Sequence, residues 1–311
     1  MDVVVTGAAG FIGSHVVEEL SRRGHAVRAV DCMLDESYDA GIKRSNWAGL
    51  EALPGVTRLE IDLRTAELDP VLSGADVVVN EAGIAGMVRS WDELDLYLDL
   101  NVAVVGRLAE SCLRVGVPRL VQASTSSVYG KHADGDETHP LLPASPYGVS
   151  NVAAEELLRA YERERGLDVT VLRYFSVYGP RQRPDMAYHK FIEAILDGRP
   201  VTLYGRGEYE RSATFVSDVA AGTALAAERG RAGQTFNIAG GEIISIGAAV
   251  ELIARELGIA PQITYVDPPF GEQVRTSGSW SAAADALGYA PVTAVADGIA
   301  EQVRWHLQRR G

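Results

Sequence analysis

Cysteine is scarce, basic residues are outnumbered and long apolar runs are missing, and each absence removes a class of protein. The two cysteines, Cys32 and Cys112, stand far apart with neither metal-type spacing nor partners for a disulfide framework, so both read as reduced thiols and neither as a nucleophile. Lys and Arg number 29 against 42 Asp and Glu, a formal charge of −13 over 311 residues. That net field repels a phosphate polyanion, which excludes nucleic acid and anionic membrane surfaces as partners. No run of about 18 apolar residues occurs, and no charged segment followed by an apolar stretch precedes the first strand-like residues, so the expected location is the cytoplasm. Internal repeats, low-complexity segments and flexible linkers are also missing, and no motif points to a metal.

What is present is a composition 47% hydrophobic, enough to bury a large core in one or two closely packed domains. Short apolar runs at 3–5, 26–30, 77–79, 120–123 and 169–172 alternate with amphipathic spacing at 14–23, 102–115 and 150–165. The β-α-β-α rhythm predicts a doubly wound parallel sheet covered on both faces. From about residue 179 the rhythm changes to an irregular basic stretch, then helices at 188–197, 246–257 and 295–309 and short strands at 201–204 and 235–238. The expected division is residues 1–175 as one α/β domain, with about 210–240 returning to it, and 176–311 as a smaller interleaved α/β unit.

The run Val5-Thr6-Gly7-Ala8-Ala9-Gly10-Phe11-Ile12-Gly13 puts three glycines between an apolar strand and a helix. Without side chains the backbone turns tightly and presents N–H groups at the positive end of the helix to a pyrophosphate. Asp31 closes the second apolar run about 20 residues later, where a carboxylate accepts from ribose hydroxyls and repels a 2′-phosphate, favouring NAD over NADP. Arg28, Lys43 and Arg44 weaken that discrimination. Asp62 reads either as an adenine contact or as a solvated turn residue.

With these residues in hand the chain resembles the extended short-chain dehydrogenases/reductases, in the NAD-dependent nucleotide-sugar epimerase and dehydratase group, from end to end. The resemblance is carried by the glycine loop, 80–90, Asn101, Ala123-Ser124-Thr125-Ser126-Ser127-Val128-Tyr129-Gly130, Ser145-Pro146-Tyr147-Gly148 and Arg173-Tyr174-Phe175-Ser176-Val177-Tyr178-Gly179-Pro180. It implies a Rossmann domain, a homodimer and a UDP-sugar substrate. Tyr147 would exchange the proton of a sugar hydroxyl, Thr125 would bond the same oxygen and NAD would take the hydride. Phe11, Ile12, Lys43, Leu63, Ala82, Gly83, Asn101, Ser124 and Tyr174 would join the glycines at the cofactor.

Family dehydratases carry an acidic pair after the catalytic threonine, and glucuronate decarboxylases keep a glutamate at the second position. Ser126 and Ser127 stand there, which favours epimerisation by C4 oxidation, rotation and re-reduction. Arg211 and Arg275 match the two arginines that clamp the diphosphate. The stretch from Tyr178 to Met186 resembles that of UDP-glucuronate 4-epimerases, which also prefer a small hydroxyl residue where Ser176 stands. Arg183 or Arg89 would add charge near the sugar carboxylate or serve structure, and Tyr204 would stack on uracil or lie in a core.

Two departures stand out. A lysine belongs four residues after the tyrosine, where it lowers the tyrosine pKa; Asn151 replaces it and carries no charge. Asn80-Glu81-Ala82-Gly83 replaces a histidine, an apolar residue and two alanines, so Glu81 either is buried and functional or turns outward. Alternatives to the epimerase are a decarboxylase or dehydratase using Glu81, and a homologue that binds NAD and nucleotide sugar without turnover.

Overall fold

The computed structural model describes residues 1–35 and 38–310. The strands β1 (Asp2–Thr6), β2 (Ala26–Asp31), β3 (Val56–Glu60), β4 (Val77–Asn80) and β5 (Arg119–Thr125) come first, then β6 (His132–Gly135), β7 (Asp168–Tyr174) and β8 (Val177–Tyr178). After these come β9 (Val201–Tyr204), β10 (Glu210–Phe215), β11 (Gln234–Ile238), β12 (Glu242–Ser245), β13 (Ile263–Val266) and β14 (Arg275–Gly278).

Seven strands form one parallel sheet in the order β11-β7-β5-β4-β1-β2-β3. Its apolar runs are continuous because both faces are buried, and successive side chains go to opposite cores. Val3 and Val5 join Val77 and Val79 in the core under helices Phe11–Arg22 and Val216–Arg229. Val4 and Val78 point the other way, onto helices Val104–Val115 and Pro146–Arg165. Each fully buried valine contributes roughly 1.5–3 kcal/mol of apolar burial. The fold is thus the doubly wound Rossmann type, and its strand order reverses between β1 and β4.

The later residues build a second unit around the sheet β12-β10-β14-β6, the pair β13-β9 and the helices Ala187–Leu196, Ile246–Leu257 and Val295–Arg310. The two halves are threaded through each other: β11 returns to the edge of the seven-stranded sheet beside β7, while β6, from the first half of the chain, pairs with β14.

Behind β5 and β7 lies a buried ion pair. Arg173 donates to Glu155 through Nε at 3.1 Å and Nη2 at 2.6 Å, and Ser124 Oγ donates to the same carboxylate at 2.5 Å. Arg173 Nη1 also donates to the Tyr129 hydroxyl at 2.9 Å, which donates onward to Asn237 Oδ1 at 2.8 Å. Arg173→Met leaves Glu155 charged and unpaired, and the expected loss in a urea titration is about 3–5 kcal/mol; adding Glu155→Leu should recover part of it.

Candidate active site

The reversal of strand order opens a crevice at the carboxyl ends of β1 and β4, as doubly wound sheets do. Gly7 leaves β1 with φ of 64°, and a Cβ there would stand 2.6 Å from the carbonyl of Glu81 just beyond β4. A Cβ on Gly13 would lie 2.2 Å from the Gly7 oxygen. Gly10 opens the helix with no side-chain cap, so its first N–H groups face a glycine cradle that fits a dinucleotide pyrophosphate. Asp31 fixes the loop: its Oδ2 accepts from Ala9 N at 2.9 Å and its Oδ1 from Met33 N at 2.8 Å.

The cleft of about 460 Å³ is walled by the three glycines, Phe11, Ile12, Asp31, Lys43, Ala82, Gly83, Asn101, Ser124, Thr125, Ser126, Tyr147, Asn151, Tyr174, Ser176, Arg183 and Met186. Asn101 acts chiefly as a brace, its amide accepting from Ile84 N at 2.8 Å and donating to Ile84 O and Ser150 Oγ, both at 3.0 Å. Lys43 donates to the Leu34 carbonyl, and burial holds its pKa down.

Thr125 ends β5, and Ser145 caps the next helix by accepting from Gly148 N at 3.2 Å, with Pro146 at the first helical position and Tyr147 next. Thr125 Oγ1 accepts from Ser127 N at 3.1 Å, and its hydroxyl acts on the Tyr147 phenol. Burial pushes the Tyr147 phenol above its usual range; Thr125 and the Arg183 guanidinium pull the other way without prevailing. Asn151 does nothing for that balance, because its Nδ2 donates to the Tyr147 carbonyl at 2.8 Å, back along the helix.

Glu81 lies on the cleft wall, not outward. Its Oε1 is 2.5 Å from the Tyr174 hydroxyl, and burial lifts its pKa to about 8. Across the cleft Arg183 pairs with Asp185 at 2.6 Å and donates to Ala85 O at 3.1 Å. Ser176, on the same wall, has φ of 28°, a left-handed conformation that a serine adopts only under constraint.

Six residues are not on this wall. Asp62 is forked onto Arg64 at 2.7 Å, and Leu63 is buried in the core. Arg89 meets Glu93 at 2.5 Å. Arg211 is held by Glu272 at 2.6 Å, Arg275 sits half-exposed beside Glu210 at 3.1 Å, and Tyr204 ends β9 partly exposed. Tyr38, Met87, Gln122, Asp185 and Gln273 are on the wall without having been foreseen. Gln122 had a signal: it sits in β5 level with Asn80, which donates to it at 2.8 Å. Away from the cleft, His189, Glu193 and His306 cluster, but His306 Nδ1 is 2.5 Å from Glu193 and His189 Nδ1 is 2.7 Å from Gln182 O. Burial lowers the pKa of both imidazoles.

The sequence profile of the NAD dependent epimerase/dehydratase family matches residues 3–239. The chain belongs to this family. It is 37% identical over 309 residues to an uncharacterised UDP-glucose epimerase of Bacillus subtilis, covering 98% of each chain. It is 34% identical to a dTDP-glucose 4,6-dehydratase of Streptomyces griseus, covering 99% of this chain and 94% of that one. The crystal structure of UDP-glucuronic acid 4-epimerase from Bacillus cereus, in complex with UDP-glucuronic acid and NAD, superposes with a TM-score of 0.96 at 32% identity, over 99% of this chain and 100% of that one.

The cofactor of this epimerase/dehydratase chain is NAD, and the glycine loop and helix start have a shape that fits its pyrophosphate. Gly13→Ala drives a methyl group into the Gly7 carbonyl. Calorimetry should show NAD affinity falling by roughly a hundredfold or more, a loss of at least about 2.7 kcal/mol, with the fold retained by circular dichroism.

Proposed function

We propose that this chain is an NAD-dependent nucleotide-sugar 4-epimerase acting on a UDP-sugar, with UDP-glucuronate as substrate. The observation that carries the reading is the Thr125–Tyr147 hydroxyl pair at the cleft with Ser126 and Ser127, not carboxylates, beside it. Bound NAD supplies the acceptor and donor of hydride. The chain's own residues hold the sugar's C4 hydroxyl between Thr125 Oγ1 and the Tyr147 hydroxyl, so that the proton leaves and returns at the tyrosine oxygen. Re-reduction of the rotated ketone on its other face gives the epimer.

The sugar carboxylate is assigned to the Ser126 and Ser176 hydroxyls and the Arg183 guanidinium, whose partner Asp185 keeps a net-neutral wall until an anion arrives. Arg211 and Arg275, on neighbouring strands β10 and β14, are assigned to the diphosphate, with Arg211 exchanging Glu272 for phosphate, and Tyr204 to the uracil. Arg89 is assigned to structure through its pairing with Glu93. The Streptomyces griseus relative is a dehydratase, but elimination needs an acid beside the threonine, where Ser126 and Ser127 stand, and Glu81 on this wall is bonded to Tyr174.

The test is incubation with UDP-glucuronate, UDP-glucose and dTDP-glucose, resolving products. The expected product is the C4 epimer of UDP-glucuronate, lost in Tyr147→Phe. Preference for a neutral sugar defeats the uronate assignment; release of water or carbon dioxide defeats epimerisation; NAD binding without turnover favours the binding homologue. Because Tyr147 is held above the phenol range, only a small fraction is tyrosinate near neutrality, and the rate should climb roughly tenfold per pH unit toward about 10.

A further inference from the structure

The cleft holds one carboxylic acid that neither the cofactor's phosphates nor the sugar chemistry uses. Glu81 follows β4 at the reversal of strand order, its backbone against Gly7, its N–H bonded to Thr6 O at 3.2 Å and its side chain on the cleft wall. Three hydrogen bonds run inward from it. Glu81 Oε1 is 2.5 Å from the Tyr174 hydroxyl, that hydroxyl is 2.7 Å from Thr223 Oγ1, and Thr223 Oγ1 is 2.9 Å from the Val219 carbonyl on helix Val216–Arg229.

Counting protons decides what the chain contains. Val219 O can only accept, so Thr223 donates to it, and the phenol then donates to Thr223. The remaining bond needs a proton of its own, which only a protonated Glu81 supplies. With a carboxylate, three bonds share two protons and one contact is left unmade in a buried site.

The surrounding groups agree. From β7 comes Tyr174, from helix Val216–Arg229 comes Thr223, and from β1 and its loop come Thr6 and Gly7, neither charged; Arg183 acts on Tyr147 and is paired with Asp185. Among the described residues no Lys, Arg or His acts on the Glu81 carboxyl, and burial holds its pKa at about 8.

We infer that Glu81 is a proton-holding residue coupled to the oxidation state of the bound cofactor, protonated beside the uncharged reduced nicotinamide and ionised beside the cationic oxidised one. The inference rests on the reading of this cleft as the NAD site. The balance closes: oxidation of one carbinol yields a carbonyl, a hydride that carries two electrons to the ring, and a proton. That proton goes to the Tyr147 oxygen; with the positive charge of the ring gone, the Glu81 carboxylate would take up a separate proton, from water. Glu81 is then a positioning residue that offsets, on the cofactor side, a charge that the absent lysine does not contribute on the tyrosine side.

The test is the ratio of dissociation constants for NADH and NAD⁺ from about pH 6 to 10 in the native protein, Glu81→Gln and Tyr174→Phe. The pyrophosphate is the same in both ligands and cancels from the ratio. Below the raised pKa the acid is neutral with either ligand and the ratio is flat. As pH rises through about 8 the carboxylate forms first opposite the cation, so preference for NAD⁺ should increase by roughly tenfold, the equivalent of one unit between the two pKa values. Glu81→Gln should be flat. Tyr174→Phe should move the step to higher pH and keep its height, since in the ionised form the phenol turns its one proton from Thr223 to the carboxylate and the variant removes that donor, which a merely structural role would not do. A flat native curve, or an unchanged step in Glu81→Gln, overturns the inference. If Glu81→Gln fails to fold, the native and Tyr174→Phe curves decide alone. Failure of both ligands to bind the native protein at any pH would instead overturn the NAD site itself.

Discussion

The molecule turns on a close approach of two chain reversals. The end of β1 and the end of β4 meet so tightly at Gly7 and Glu81 that no Cβ fits between them, and the same loop leaves no room for one at Gly13. A buried ladder of side chains fixes the strands at that depth: Thr6 Oγ1 donates to Asn80 Oδ1 at 2.5 Å and Asn80 Nδ2 to Gln122 Oε1 at 2.8 Å. From this contact follow the N–H groups at the helix start after Gly10, the depth of the cleft, and the placement of the residue after Asn80 on the cleft wall.

The same burial sets the electrostatics. Taking a titratable group out of water disfavours its charged form, and three groups of the cleft show this. The Tyr147 phenol is raised, the Glu81 carboxyl is raised, and Lys43 is lowered. With Asn151 turned back onto its own helix, the cation acting on Tyr147 is Arg183, and an adjacent aspartate already engages it. A lysine at position 151 would oppose that burial directly.

Much of this was legible in the residues because the signals are local. Strands buried on both faces read as unbroken apolar runs, so β1, β4 and β7 lie where 3–5, 77–79 and 169–172 suggested, each extended at its ends. The glycine loop combined strand, spacing and helix. Helix starts were harder. The 150–165 helix begins at Pro146, whose Ser145 cap precedes the amphipathic spacing, and the 102–115 helix is preceded by a π turn, Asp99–Ala103, that has no sequence signature. The side on which Glu81 falls was illegible, because both faces of β4 are buried and polarity cannot mark either. Tyr38, Met87 and Gln273 reach the cleft from irregular segments, where no periodicity reports direction. Arg211 and Arg275 were recognisable by pattern, but their present acidic partners are known only from the folded chain.

The central claim is that burial holds the Tyr147 phenol in its neutral form near neutral pH. The direct measurement is the ionisation of Tyr147, read as the phenolate absorbance of the native protein minus that of Tyr147→Phe across a pH titration, and repeated in Asn151→Lys. The account predicts a native midpoint above about 10, the value of a free phenol, falling by about one to two units when the lysine is introduced. A native midpoint near about 7, in the range where a general base is already poised for neutral pH, would contradict it.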